Sequence, residues 1–170
     1  MPTLHVSPLS KLAETAAAVR ASHLVTLINV NTVVERPASI MESRHLVLGV
    51  SDISAPMDGH VVPAEEHVVR FLAFVRDWDR AGPLLIHCWA GISRSTAAAY
   101  IAACALGPAR GEDEIAAALR AASPSATPNA RLVAIADAML GREGRMSAAI
   151  ARIGRGADAF EGTPFALRLG

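Results

Sequence analysis

Apolar positions along this chain come in short blocks separated by polar, glycine- and proline-bearing stretches, and the spacing within each block predicts its conformation. Leu24-Val25-Thr26-Leu27-Ile28-Asn29-Val30 is a continuous, β-branched run of the kind that fills a sheet buried on both faces. His45-Leu46-Val47-Leu48-Gly49-Val50 predicts a second strand, Leu84-Leu85-Ile86-His87-Cys88 a third, and Leu4-His5-Val6 a short edge strand. The intervening blocks change to helical spacing. Ser7-Pro8 opens a helix through about Ala21, with the proline tolerated in the first turn and Leu9, Leu12, Ala16 and Val19 on one face. A longer helix runs from Pro63 to about Arg80, acidic at Glu65 and Glu66 and apolar at Val68, Phe71, Leu72, Val75 and Trp78.

From Ser95 to Leu106 nearly every residue is small or apolar, which predicts a helix buried on most sides. A shorter helix follows from Glu112 to Ala122. Another, capped by Asn129, turns Leu132, Ile135, Ala136, Met139 and Leu140 inward and stops at Gly141. Met146, Ala149, Ile150 and Ile153 mark a last amphipathic segment. Strands interspersed with helices predict an α/β fold: three layers, with a mainly parallel central sheet flanked by helices. The expected organisation is a single domain over 1–155 and a glycine-containing tail over 156–170, either loose or pinned to a neighbour by Phe160, Phe165 and Leu167.

Composition narrows the classes. With 170 residues and 52% hydrophobic content the chain is long enough for one real core. Sixteen basic and sixteen acidic residues give no net field, so attraction to nucleic acid or an anionic membrane is not expected. No uncharged run approaches the roughly 18 residues of a membrane span, and no signal peptide is evident. The histidines show no metal-ligand spacing and the two cysteines no disulfide framework, so neither metal nor cofactor is expected. Cys104, inside an apolar helix, reads as a core residue.

The chemistry concentrates at His87-Cys88-Trp89-Ala90-Gly91-Ile92-Ser93-Arg94-Ser95-Thr96. A strand ends in a cysteine, and an arginine follows where a helix begins. If the five residues between them curl so that their N–H groups converge, they make a nest for a tetrahedral dianion at a helix N-terminus, and phosphate is the obvious guest. Converging dipoles and a nearby guanidinium favour the thiolate of Cys88, which can attack phosphorus. Arg94 can hold two non-bridging oxygens in a bidentate fork, as a lysine cannot. The Ser95 hydroxyl, or failing that Thr96, is placed to hydrogen-bond sulfur when it leaves a phosphocysteine. His87 would fix the loop from behind, and Gly91 permits backbone conformations closed to other residues. Trp89 either shapes the floor or rim of the site or packs beneath the loop.

His87-Cys88-x5-Arg94-Ser95 resembles the loop of the cysteine-dependent protein tyrosine phosphatases, and Ala90-Gly91-Ile92-Ser93-Arg94-Ser95 is most similar to their compact dual-specificity branch, including bacterial forms. The resemblance implies their fold, a phosphocysteine mechanism, substrate binding by Trp89, Ala90, Gly91, Ile92, Ser93 and Arg94, and a phosphorylated protein or peptide as partner. It also implies an aspartate acid before the catalytic strand. Asp52 lies 36 residues ahead of Cys88, after a strand and with Pro56 downstream, and Asp58 lies 30 ahead in an Asp-Gly turn; Asp52 matches better. The proline-containing stretch 123–129 resembles the loop that buttresses the site in this class.

Arg36 and Arg44, in the polar stretch 31–44, serve either substrate or solvent. No lysine stands in the loop, which disfavours inositol phosphates. Phosphotyrosine, with phosphoserine and phosphothreonine admitted by a shallow site, is the expected substrate. A phosphate-binding module with negligible turnover and a small-molecule phosphatase are the alternatives. A thiolate nucleophile needs a reducing compartment, so the cytoplasm is expected.

Overall fold

In the computed structural model, which describes all of residues 1–170, the apolar runs pair side by side. Strands β1 (Thr3–Pro8), β2 (His23–Ile28), β3 (His45–Gly49) and β4 (Leu84–Cys88) are parallel, in the order β3-β2-β4-β1. A fifth strand, β5 (Phe165–Arg168), joins antiparallel on the far side of β1. The helices are α1 (Leu12–Val19), α2 (Glu65–Asp77), α3 (Arg94–Leu106), α4 (Glu112–Ala122), α5 (Ala130–Met139) and α6 (Arg145–Ile153).

Strand alternation decides which helices cover which face. Leu84 and Ile86 of β4 point to one side, where α2 to α6 close a core of 33 buried residues that includes Phe71, Trp78, Tyr100 and Ile101. Leu85 points to the other, where α1 and Ile40 complete a core of only six. The result is the expected three-layer α/β architecture with unequal layers, its sheet mainly parallel. Helix α3 is buried nearly all round. Its alanines at 97–99, 102 and 103 let it lie close beneath the sheet's centre. No helix is long and apolar enough to cross a membrane.

Three details depart from the sequence reading. β1 is not an edge strand, because β5 pairs along its outer side. The helix expected from Pro8 starts later: Pro8 is the last residue of β1, opposite Cys88, and a 3-10 turn over Leu9–Lys11 precedes α1. The backbone explains this, since the N–H of Leu9 donates to the carbonyl of Trp89 at 3.0 Å. Residues 165–168, expected within a tail, form β5, with Leu167 only 3% exposed. Four residues flanked by Thr163-Pro164 and Gly170 carry little local strand signal; pairing with β1 supplies the rest.

All four parallel strands end on one edge of the sheet, at Pro8, Ile28, Gly49 and Cys88. In open α/β sheets ligands bind outside the carboxyl ends of strands, so the topology alone nominates this edge. Because Leu167 belongs to the larger core, Leu167→Ala is expected to cost about 2–5 kcal/mol in urea unfolding. A loose tail would show no such loss.

Candidate active site

The loop from Cys88 to Arg94 joins the end of β4 to the start of α3, and the fate of its carbonyls determines its shape. Trp89 C=O accepts from Leu9 N–H at 3.0 Å, Ala90 C=O from Gly162 N–H at 2.7 Å, Ile92 C=O from Thr127 N–H at 2.9 Å and Ser93 C=O from Asn129 N–H at 3.2 Å. Four carbonyls are thus pulled outward by the 3-10 turn, the C-terminal segment and the 123–129 loop. No peptide in the chain is cis, so each planar unit turns its N–H opposite to its C=O. The amides of Ala90, Gly91, Ser93 and Arg94 therefore point inward. That of Gly91 lies 3.3 Å from Cys88 Sγ.

Gly91 is required twice over. Its φ is +69°, and a Cβ there would sit 2.8 Å from the Pro8 nitrogen, so the loop closes onto the end of β1 only with no side chain. Ser93 occupies the N-cap position of α3 but spends its hydroxyl on Asp52 Oδ1 at 2.7 Å instead of capping the helix. The positive end of α3 is left facing the loop interior.

Arg94 is 6% exposed and has no carboxylate partner. Its Nη1 donates to Asn29 Oδ1 at 2.6 Å and to the Val50 carbonyl at 2.9 Å, groups just beyond the ends of β2 and β3. Its buried Nε has no acceptor in the chain. A buried cation held by neutral oxygens, with a donor left over, is costly unless an anion completes it. Guanidinium and inward amides thus define an oxyanion cradle beside the sulfur.

Ser95 Oγ is 3.1 Å from Cys88 Sγ on the side of α3. His87 is fully buried on the opposite face of the sheet. Its Nδ1 lies 3.1 Å from the Cys88 carbonyl and its Nε2 2.8 Å from Thr26 Oγ1, which in turn is 2.8 Å from His45 Nε2. A carbonyl only accepts, so Nδ1 carries the proton, Thr26 donates to Nε2, and His45 donates to Thr26. Burial pushes His87 down to about 4, a little offset by its bond to the Cys88 carbonyl. This chain across β4, β2 and β3 holds the last peptide of β4 from behind.

Asp52 and Cys88 line the same pocket, of about 580 Å³, with Trp89, Ala90, Ile92, Ser93 and Arg94. Asp52 Oδ1 also accepts from Asn129 Nδ2 at 3.0 Å, so Asn129 does more than cap α5, and Oδ2 has no partner within the chain. Asp58 lies in the exposed turn 57–60 and does not line the pocket. Trp89, 58% exposed, is at the rim and not packed beneath the loop. Arg36 bonds the Ile40 carbonyl and Arg44 pairs loosely with Asp79, so neither reaches the site.

Asn29, Thr26 and the contribution of Ala159 and Phe160 to the pocket are not expected from the sequence. A polar residue near the end of the run 24–30 was the only signal for Asn29, and a lone threonine within that run the only one for Thr26.

Residues 56–121 match the protein-tyrosine phosphatase family. Among solved structures the chain is similar to DUSP15 (18% identity, TM-score 0.65, covering 89% of this chain and 92% of that one). Human DUSP28 is similar too (18%, 0.63, 84% and 96%). So is the human tyrosine phosphatase-like serine/threonine/tyrosine-interacting protein (18%, 0.64, 84% and 94%). These likenesses establish a shared fold. No protein of curated function matches the sequence.

In the folded chain the imidazole of His87 is expected to stay neutral and Nδ1-protonated down to about pH 4 in nitrogen-detected NMR. The unfolded chain takes up that proton nearer 6.5, so the contribution of His87 makes stability fall as pH drops from about 6.5 toward 4 and adds no further loss below. His87→Asn should flatten that slope; a His87 signal titrating near 6.5 would contradict the relay.

Proposed function

We propose that this chain, a member of the cysteine-dependent protein tyrosine phosphatase superfamily with the fold of its dual-specificity phosphatases, hydrolyses phosphate monoesters in proteins, phosphotyrosine first, through a phosphocysteine intermediate. The observation that carries the reading is the buried, carboxylate-free Arg94 whose Nε faces no acceptor, set beside a sulfur that already receives an amide N–H. That is the arrangement a transferring phosphoryl group needs: charge-assisted donors fixed before the reaction begins.

The reaction divides into two displacements. Cys88 attacks phosphorus as the thiolate, forming S–P as the bond to the leaving oxygen breaks. Non-bridging oxygens rest on the inward amides and Arg94, while Asp52, through Oδ2, gives its proton to the departing oxygen. Water then attacks phosphocysteine, Asp52 takes back a proton, and the S–P electron pair returns to sulfur, whose departure the Ser95 hydroxyl eases at 3.1 Å. Asn29 and Val50 act as positioning groups that aim Arg94. The shared pocket supports Asp52 over Asp58 as the acid. Phosphoserine and phosphothreonine follow as slower substrates of an open site. Both thiols are free, and the nucleophile works in a reducing compartment, which the reading takes to be the cytoplasm.

Cys88→Ser is expected to keep phosphate binding and lose turnover of p-nitrophenyl phosphate. Asp52→Asn should lower kcat by about 10²- to 10⁴-fold, flatten the alkaline limb of its pH profile, and make rate depend steeply on leaving-group pKa. Asp58→Asn should do neither. Vanadate binding by a wild-type chain that turns over no aryl phosphate would favour an interaction module instead, and higher kcat/KM on metabolites than on phosphopeptides a small-molecule phosphatase.

A further inference from the structure

The chain holds seven aromatic residues: four phenylalanines, two tryptophans and one tyrosine. Five of them are buried or half-buried. The other two, Trp89 at 58% and Phe160 at 90% exposure, both line the pocket that contains Cys88. Trp89 belongs to the loop itself. Phe160 comes from the far end of the chain, in the segment between α6 and β5.

That segment is strapped down on both sides of the ring. Before it, Gly156 N–H donates to Thr127 Oγ1 at 3.1 Å and Ala157 N–H to the Pro124 carbonyl at 2.9 Å. After it, Glu161 accepts from Ser10 Oγ at 2.6 Å and Gly162 N–H donates to the Ala90 carbonyl at 2.7 Å. Both glycines are needed for the approach. A Cβ on Gly156 would lie 2.5 Å from the Ser125 carbonyl carbon, and one on Gly162 would lie 2.8 Å from the Gly91 oxygen. The same peptide that helps turn the Gly91 amide inward therefore anchors the strap, and Phe160 stands two residues from that anchor. A phenyl ring so exposed, on backbone so constrained, gains little from the fold, and as a lining residue of the pocket it offers an apolar face to whatever enters there.

We propose that Phe160 is a specificity-determining residue: with Trp89 it forms an aromatic mouth over the oxyanion cradle that selects the phenyl ring of a phosphotyrosine residue over the aliphatic linker of phosphoserine. The proposal rests on the reading of the cradle as a phosphate site and adds to it which monoester is preferred. The cradle fixes the dianion, and the ring, one ester bond away, meets Phe160 and Trp89 at the rim. The linker of phosphoserine is too small to stack and gains only the phosphate contacts.

The test is calorimetric binding to Cys88→Ser protein, with and without Phe160→Ala, of a phosphotyrosine peptide, the same peptide with phosphoserine, and inorganic phosphate. Phe160→Ala is expected to weaken the phosphotyrosine peptide by roughly tenfold, the order of an aromatic stacking contact. The other two probes should change by no more than about twofold, as for a surface substitution, and the melting temperature should hold because the ring lies outside the core. Phe160→Tyr should restore the preference. Equal loss for all three probes, or an unchanged phosphotyrosine affinity, overturns the proposal. Because the readout is binding, a wild-type chain that turned over no phosphate would refute the phosphocysteine reading and leave this result to stand or fall by itself.

Discussion

Everything in the site depends on where four carbonyl groups point. The residues between Cys88 and Arg94 contain no charge and almost no polar side chain, so their chemistry is that of the backbone, and a trans backbone unit whose C=O is held on one side presents its N–H on the other. Leu9, Gly162, Thr127 and Asn129 supply those engagements from three separate parts of the chain. The loop is held open from outside, as a ring of amides facing a common centre beside the sulfur. Gly91 makes the closure sterically possible, and α3 places its unfilled N-terminus at the base.

The larger fold serves that arrangement through the sheet edge. Parallel strands deliver Asn29, Val50 and Cys88 to neighbouring points, and the first two take hold of one end of the Arg94 guanidinium. Its remaining edge is thereby aimed without a carboxylate that would compete with a bound anion. On the opposite face, the His45–Thr26–His87 relay secures the peptide after which the loop begins. Its middle members are sealed from water, so the polar groups must satisfy one another in a fixed order, which sets the tautomers. The C-terminal strap then joins the loop to a segment some 70 residues downstream, tying the geometry of the loop to the rim in a single hydrogen bond between Gly162 and Ala90.

Legibility in the sequence follows the range of the interaction concerned. The segment from His87 to Ser95 carries its reactive groups in contiguous sequence, and its sulfur–hydroxyl and sulfur–amide contacts join residues within that span, while the partners of its carbonyls and of Arg94 lie far off in the chain. Helix α4 spans Glu112–Ala122 as its spacing predicts, since an amphipathic helix declares itself in every turn. Asn29 is different. Nothing near it in the chain distinguishes it from any polar residue after a strand; its partner is 65 positions away. Spacing favours Asp52 over Asp58 without locating either side chain, and the geometry separates them because Ser93 and Asn129, on other elements, draw Asp52 to the pocket. The short β5 and the strap before it were invisible for a related reason. Glycine-rich sequence reads as loose, whereas here glycine serves close approach between backbones.

On the proposed function, amides turned inward and one guanidinium edge together bind a phosphoryl group in flight. A crystal structure with orthovanadate tests it most directly. It should show vanadium bonded to Cys88 Sγ, equatorial oxygens on the inward amides of Ala90, Gly91, Ser93 and Arg94 and on Arg94 Nε, and the Asp52 carboxyl at the apical oxygen. Vanadate bound elsewhere, or seated here with Arg94 Nε still lacking an oxygen, would contradict the account.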